Sequence, residues 1–241
     1  MKRLIDCCFA CIGLLLMSPI LLLFMVLVWL QDFHSPFYIA QRVGRNGKLF
    51  KMVKLRSMLV GSDKSGVDST AVEDKRITAV GRIIRQYKLD EFPELWNVFL
   101  GDMSLVGPRP NVQRDVALYT EKEKRLLDVR PGITDLSSIV FSDEGDILAG
   151  SNDPDLRYNQ LIRPWKSRLG LFYVENSSIL LDIALIILTV FTLFSREKAL
   201  YAITALLRKL EADELLIQVA ARKQALVPYP PPGAESIVTS R

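Results

Sequence analysis

The chain has 241 residues, 49% of them hydrophobic, and a formal net charge of +4. That length accommodates one ordinary domain with additional segments, and a core that needs no covalent staples. One histidine and three cysteines (Cys7, Cys8 and Cys11, all in one apolar stretch) exclude a disulfide framework, and any histidine-based triad would rest on His34 alone, in a turn-like DFHSP run.

The first element is apolar from Leu4 to Leu30, apart from Asp6 and a central Ser18-Pro19. It is long enough to span a hydrocarbon core of about 30 Å. It exceeds the apolar core of a signal peptide, and no small-x-small cleavage site follows it. Proline removes a donor from the helical ladder, so a kink is expected at Pro19, with Ser18 satisfying a freed carbonyl. A kinked spanning helix and a re-entrant helix-break-helix both fit this pattern. Lys2 and Arg3 precede the run, and Arg42, Arg45, Lys48, Lys51, Lys54 and Arg56 follow it. Basic residues on both flanks suit a chain with both ends on the cytoplasmic side. The basic stretch suits anionic lipid or phosphorylated substrates, and no nucleic-acid-binding motif accompanies it.

Residues 35–60 read as a β-hairpin turned at Asn46-Gly47. Residues 61–75 are polar and rich in Gly, Ser and Asp, and predict a mobile loop. From Ile77, ITAVGRIIRQYKL carries helical spacing, and EFPELWNVFLGDM predicts a second helix closed by Gly101. SLVGPRPNV is a rigid extended or turn segment, Tyr119 to Val129 a charged helix, and RPGIT the start of a loop. Asp153 to Glu175 predicts a helix interrupted near Pro164. A second apolar run, Ile179 to Phe194, contains Asp182 and is short for a membrane span, so it reads as a buried or interfacial helix. Arg196 to Leu226 predicts a charged amphipathic helix with Leu200, Ile203, Leu206, Leu207 and Leu210 on one stripe. Such a stripe must be covered. The weak net charge of the segment favours a protein contact over lipid, and a homodimer is the expected cover. The tail from Pro228 carries PYPPPG and predicts disorder.

Asp90-Glu91 stands just before Pro93, which suits a first helical turn and puts Asp90 near the N-cap. A carboxylate beside a bound phosphate invites a divalent metal such as Mg²⁺. Adjacent carboxylates do not suit a glycosidase, whose two groups face each other across the sugar. They suit a nucleophile with a helper. In Pro108-Arg109-Pro110 the prolines restrict the backbone around a guanidinium able to grip phosphate in bidentate fashion. Arg85 and Lys54 are further phosphate partners by charge and position. Taken singly, each of these residues reads as an ordinary capping or surface residue rather than as part of a site.

Together they carry a resemblance. KLRSM at 54–58, KLDEFPELWNVFLGDMSLVGPRP at 88–110, RPGIT at 130–134 and YVENSSILLDIALIILT at 173–189 occur in this order. With the Ser18-Pro19 motif, they resemble the bacterial sugar transferase family of small monotopic phosphoglycosyl transferases, over roughly residues 1–195. The resemblance implies an α+β, mostly helical fold. It divides the chain into a re-entrant membrane segment (1–34) broken at Ser18-Pro19 and a catalytic domain with a small β-hairpin and membrane-surface helices (35–195), with a helical extension (196–227) and a disordered tail (228–241) beyond. It implies a place at the cytoplasmic face of a bacterial inner membrane, in contact with lipid. It implies Asp90 as covalent nucleophile toward the β-phosphorus of a UDP-sugar, with release of UMP and polyprenyl phosphate as final acceptor. Glu91 is implied as second carboxylate, Asp90 and Glu91 as Mg²⁺ ligands, Arg109 as phosphate binder, and Lys54, Arg85 and Asp182 as further polar positions of the site. No GxxxxGK[ST] or GxGxxG signature supports a soluble phosphotransferase instead. The loop RPGITDLSSIVF departs from the PGITG-Gln-Val pattern frequent in the family, which leaves open the sugar and acceptor specificity of that loop.

Overall fold

The computed structural model describes residues 1–62 and 74–239, so most of the loop expected at 61–75 lies outside the described residues. The apolar run forms one 31-residue helix, α1 (Lys2–Asp32). It is continuous through Ser18-Pro19, with Pro19 inside the helix. The missing Pro19 N–H would have met the carbonyl of Leu15 four residues back. The Ser18 hydroxyl donates to that carbonyl instead, at 2.8 Å.

The hairpin follows as β1 (Phe37–Val43) and β2 (Leu49–Leu55), antiparallel, with Phe37 opposite Leu55 and Val43 opposite Leu49. Its turn needs Asn46 and Gly47 at positive φ, which these two residue types tolerate best. Next come α2 (Ala79–Gln86), capped by the Thr78 side chain, and α3 (Glu94–Leu100), closed by Gly101 at φ +96. Asp90 lies in a separate 3-10 turn, Leu89–Glu91, rather than at the N-cap of α3, a place taken by Pro93.

A second pairing was not legible as strands. β3 (Ser104–Val106) runs parallel to β4 (Gly132–Thr134), which the sequence reading took for the beginning of a loop. Gly107 and Gly132 meet so closely that a Cβ on Gly132 would sit 2.1 Å from the Gly107 nitrogen. Only glycine admits that approach. Between these strands lie two short helices, α4 (Gln113–Val116) and α5 (Glu121–Lys124), and a 3-10 turn over Arg125–Asp128. After β4 come α6 (Leu136–Val140), α7 (Glu144–Leu148), α8 (Pro154–Leu161), α9 (Arg163–Asn176), α10 (Ile179–Thr192), α11 (Arg196–Lys209) and α12 (Glu214–Ala220). The expected interruption near Pro164 is the α8–α9 junction, with Pro164 in the first turn of α9.

The largest apolar cluster is built from α6, α9, α10, α11 and α12, with Leu136, Ile139, Leu169, Leu185, Ile203 and Leu207 all at most 1% exposed. The stripe expected to need a second copy is therefore already covered by the chain itself. Leu200, Ile203 and Leu207 are buried, and Leu206 and Leu210 pack against the same cluster. The ground for a homodimer disappears with it. The described residues of the tail make contacts with the domain. Tyr229 stacks on Trp165 with ring centroids 4.5 Å apart, Arg168 donates to the Pro230 carbonyl, and Thr120 donates to that of Pro232. An aromatic pair, an arginine and a threonine hydroxyl thus anchor a segment poor in aliphatic residues.

α1 lies along the domain from end to end. In its first turns Lys2 reaches the Val106 carbonyl and Asp182, Arg3 donates to the Val98 and Phe99 carbonyls at the end of α3, and Asp6 accepts from Ser104 and the Leu105 N–H. At its middle, Ala10 packs with Met52, Leu95, Val98 and Met103. At its far end Val28 packs with Leu55, Ile84 and Leu89, and Asp32 pairs with Arg56 at 2.5 Å. The opposite face of α1 presents Leu15, Leu16, Leu22, Leu23 and Leu30 outward. Among the described residues α1 is the one helix long and apolar enough to cross a membrane.

Candidate active site

The candidate site forms where β2, the Leu89–Glu91 turn, α3 and the segment after β3 converge. Asn97 welds α3 to the hairpin: its side chain accepts from the Val53 N–H at 3.0 Å and donates to the Lys51 carbonyl at 2.7 Å. That docking carries Lys54, near the end of β2, to the Asp90 turn. The Lys54 ammonium lies 3.9 Å from Asp90 Oδ2 and 3.1 Å from Glu94 Oε1. From the other side, β4 holds the PRP turn. The Gly132 N–H donates to the Pro108 carbonyl, and Arg109 Nη1 donates to the Ile133 carbonyl at 2.6 Å. Arg109 Nη2 then sits 2.9 Å from Glu91 Oε1 and 3.7 Å from Glu94 Oε1.

Five charged groups thus share one site, three carboxylates against two cations. Asp90, Glu91, Lys54 and Arg109 keep 14–25% of their side chains exposed, while Glu94 is fully buried, so the first four line the accessible side. Burial pushes the Asp90 carboxyl above its ordinary value, and Glu91 adds to this; Lys54, Arg85 and Arg109 oppose it. Burial acts on Glu91 in the same direction, but Arg109, Lys54 and Lys88 outweigh it and hold that carboxyl down at about 2. Burial likewise raises Glu94 against Lys54 and Arg109. Two adjacent carboxyls are driven apart, one toward protonation and one locked as an anion, a pattern that concentrates at functional sites.

Among the described residues no group of three or more His, Cys, Asp or Glu converges as a ready metal cage. The donor chemistry nonetheless suits a hard cation: the donors are carboxylate oxygens, and Asp90 has the loosest ion contact of the three.

Most of the residues singled out by sequence come together here: Lys54, Asp90, Glu91 and Arg109 directly, and Arg85, from the last turn of α2, through its charge on Asp90. Asp182 does not join their ion pairs. It is buried at the start of α10, where it pairs with Lys2 at 2.5 Å and accepts from the Tyr173 hydroxyl at 2.5 Å. Its observed contacts anchor the beginning of α1. Ser18 and Pro19 lie at mid-helix in α1. Glu94 was missed by the sequence reading. The available signal was its spacing to Asn97, three residues on, which puts a carboxylate on the helix face that docks on β2.

The bacterial sugar transferase family matches residues 1–196 of the chain. The exopolysaccharide production protein ExoY of Sinorhizobium fredii is 34% identical over 206 residues, covering 78% of this chain and 83% of that one. The UDP-N-acetylgalactosamine-undecaprenyl-phosphate N-acetylgalactosaminephosphotransferase of Aeromonas hydrophila is 30% identical over 201 residues, 80% of this chain and 44% of its own. The undecaprenyl-phosphate galactose phosphotransferase of Salmonella typhimurium is 34% identical over 217 residues, 83% of this chain and 41% of its own. The match covers α1, the whole candidate site and α10, and the chain belongs to the bacterial sugar transferase family.

Proposed function

We propose that this protein transfers a sugar 1-phosphate from a UDP-sugar to a polyprenyl phosphate such as undecaprenyl phosphate, the first membrane step of a lipid-linked glycan. The observation that carries the reading is the Asp90 carboxylate, loosely paired with Lys54 and partly exposed next to the Glu91–Arg109 pair, in a chain similar to undecaprenyl-phosphate sugar phosphotransferases. Asp90 attacks the β-phosphorus of the donor. The bond from that phosphorus to the oxygen bridging the two phosphates breaks, and UMP departs with the electron pair. The sugar phosphate remains on Asp90 as an acyl phosphate. A phosphate oxygen of the polyprenyl phosphate then attacks the same phosphorus and breaks the Asp90–phosphorus bond, restoring the carboxylate. Splitting one transfer into two lets a soluble donor and a lipid acceptor use the site in turn. Arg109 and Lys54 stabilise the charge on the transferring phosphoryl group. Asp90 and Glu91 would hold Mg²⁺ together with donor phosphate oxygens, and the ion would supply further neutralisation of the diphosphate.

The reading includes a re-entrant or in-plane seat for α1 on the cytoplasmic face of the inner membrane. Polar anchors at both ends of the helix engage the same domain, Lys2, Arg3 and Asp6 at one end and Asp32 at the other. A transmembrane course would pull one set away. Leu180 and Ile187 on α10, Phe194 just beyond its end and the stacked Trp96–Phe99 pair on α3 add exposed apolar surface suited to lipid.

The test uses the full chain in nanodiscs with undecaprenyl phosphate, Mg²⁺ and a panel of UDP-sugars. UMP release with one or more donors is expected, together with a sugar-phosphate adduct on the intact protein by mass spectrometry. Asp90→Asn should show neither. Release of UDP in place of UMP, or full activity of the asparagine variant, overturns the proposal.

A further inference from the structure

Glu94 has no role in the sequence reading of the site, yet it touches both of the cations there. It is 0% exposed, and apart from Lys54 and Arg109 its two oxygens have no partner among the described residues. A buried carboxylate needs opposite charge or hydrogen bonds to compensate for lost hydration. Glu94 obtains this chiefly from the cations that also serve Asp90 and Glu91, with the charge of Arg42 adding to them. Lys54 lies 3.1 Å from Glu94 but 3.9 Å from Asp90. The buried carboxylate therefore draws the ammonium inward and leaves Asp90 the less tightly paired of the two. Arg109 divides the other way, 2.9 Å from Glu91 and 3.7 Å from Glu94.

We propose that Glu94 is a positioning residue for the transfer, its buried carboxylate holding Lys54 and Arg109 on the inner side of the Asp90–Glu91 pair so that neither cation collapses onto the nucleophile. The inference rests on reading Asp90 as that nucleophile. A carboxylate in tight contact with an ammonium is a poor attacking group, because its lone pairs are engaged by the cation. Holding the cation back keeps Asp90 reactive, and keeps Lys54 within reach of an incoming diphosphate. The arrangement has a cost in ground-state binding, since Glu94 places one more negative charge near the position of the donor phosphates.

The two effects have opposite signs, which separates positioning from simple structural support. Glu94→Gln keeps the shape and removes the charge. In nanodiscs it should lower kcat for UMP release by at least about tenfold and tighten UDP binding, read by calorimetry, by at least about threefold. Glu94→Asp restores the charge and should recover most of the lost kcat. A glutamine variant with unchanged kcat, or with kcat and UDP affinity falling together, overturns the proposal, as does an aspartate variant no better than glutamine. The UDP titration needs no turnover. If the wild-type chain releases no UMP from any donor, the nucleophile reading fails by itself. The titration still decides on Glu94, because an unchanged affinity in the glutamine variant refutes its hold on the cations.

Discussion

Glu94 and Glu123 are both 0% exposed, and their surroundings differ in nearly every other respect. Glu123 accepts from Arg163 Nη2 at 2.8 Å, from Ser167 Oγ at 2.7 Å and from the Thr120 N–H at 3.0 Å, as part of a capping box. Its oxygens are saturated by donors with no other partner of comparable charge. Glu94 has two ion contacts and shares both with other carboxylates. A saturated buried carboxylate fixes a structure; an under-satisfied one stays responsive to whatever charge arrives next.

The largest effect that could break this contrast is at Glu123. Glu123→Ala strands the buried Arg163 guanidinium and should cost about 3–5 kcal/mol of stability. For a chain of this size that is a melting-temperature fall of roughly 6–20 °C. The kcat of the protein that remains folded should hold. A loss of turnover without a loss of stability would place Glu123 in the same class as Glu94.

Arg109→Lys comes next. An ammonium cannot meet the Ile133 carbonyl and Glu91 together as the planar fork does. The expected loss in kcat/KM is about tenfold, or about 1.4 kcal/mol. Kinetics close to wild type would make the arginine peripheral.

A pH profile sharpens the same contrast. In the proposed mechanism the nucleophile must be charged, and the Asp90 carboxyl is raised from 3.8 chiefly by burial, against the opposing Lys54 charge. Activity is therefore lost as pH falls through a value above 3.8, while Glu91, held at about 2, remains an anion. Lys54→Met removes a charge that lowers Asp90, so the acid limb should move to higher pH. A limb unmoved, or moved to lower pH, contradicts the placement of Lys54 beside Asp90.

The smallest effect is expected at the tail. Tyr229→Ala removes the ring stacked on Trp165 and its contact with Arg168. A cost of about 0.5–1.5 kcal/mol beyond lost area is expected in thermal melts, with kcat unchanged.

What the sequence made legible follows from the range of each signal. The hairpin, α2, the α8–α9 junction and α10 are written in local spacing, turn residues and proline, and they stand where the pattern puts them. The Lys54, Asp90, Glu91 and Arg109 constellation was reached through motif order, because no local rule brings a strand lysine to a turn aspartate 36 positions away. The β3–β4 pairing was missed because three-residue strands separated by two short helices carry no periodicity. Amphipathicity showed that the α11 stripe must be covered, but not that its own chain supplies the cover. Asp182, expected among the further polar positions of the site, meets Lys2, a partner 180 positions away that no spacing rule could nominate.

That separation has a consequence for the order in which the chain is made. Lys2 and Asp6 belong to the first turns of an apolar helix, and their partners are Asp182, Ser104 and Leu105. At a synthesis rate of roughly 5–20 residues per second, Asp182 emerges some 9–36 s after Lys2. During that interval Lys2 lacks its carboxylate partner, while Asp6 can meet Ser104 and Leu105 already roughly 5–20 s after it emerges. The docking of the first turn is thus provisional. It is completed only when the last third of the polypeptide is delivered, which makes the ribosome the timekeeper for when the domain takes hold of its own first helix.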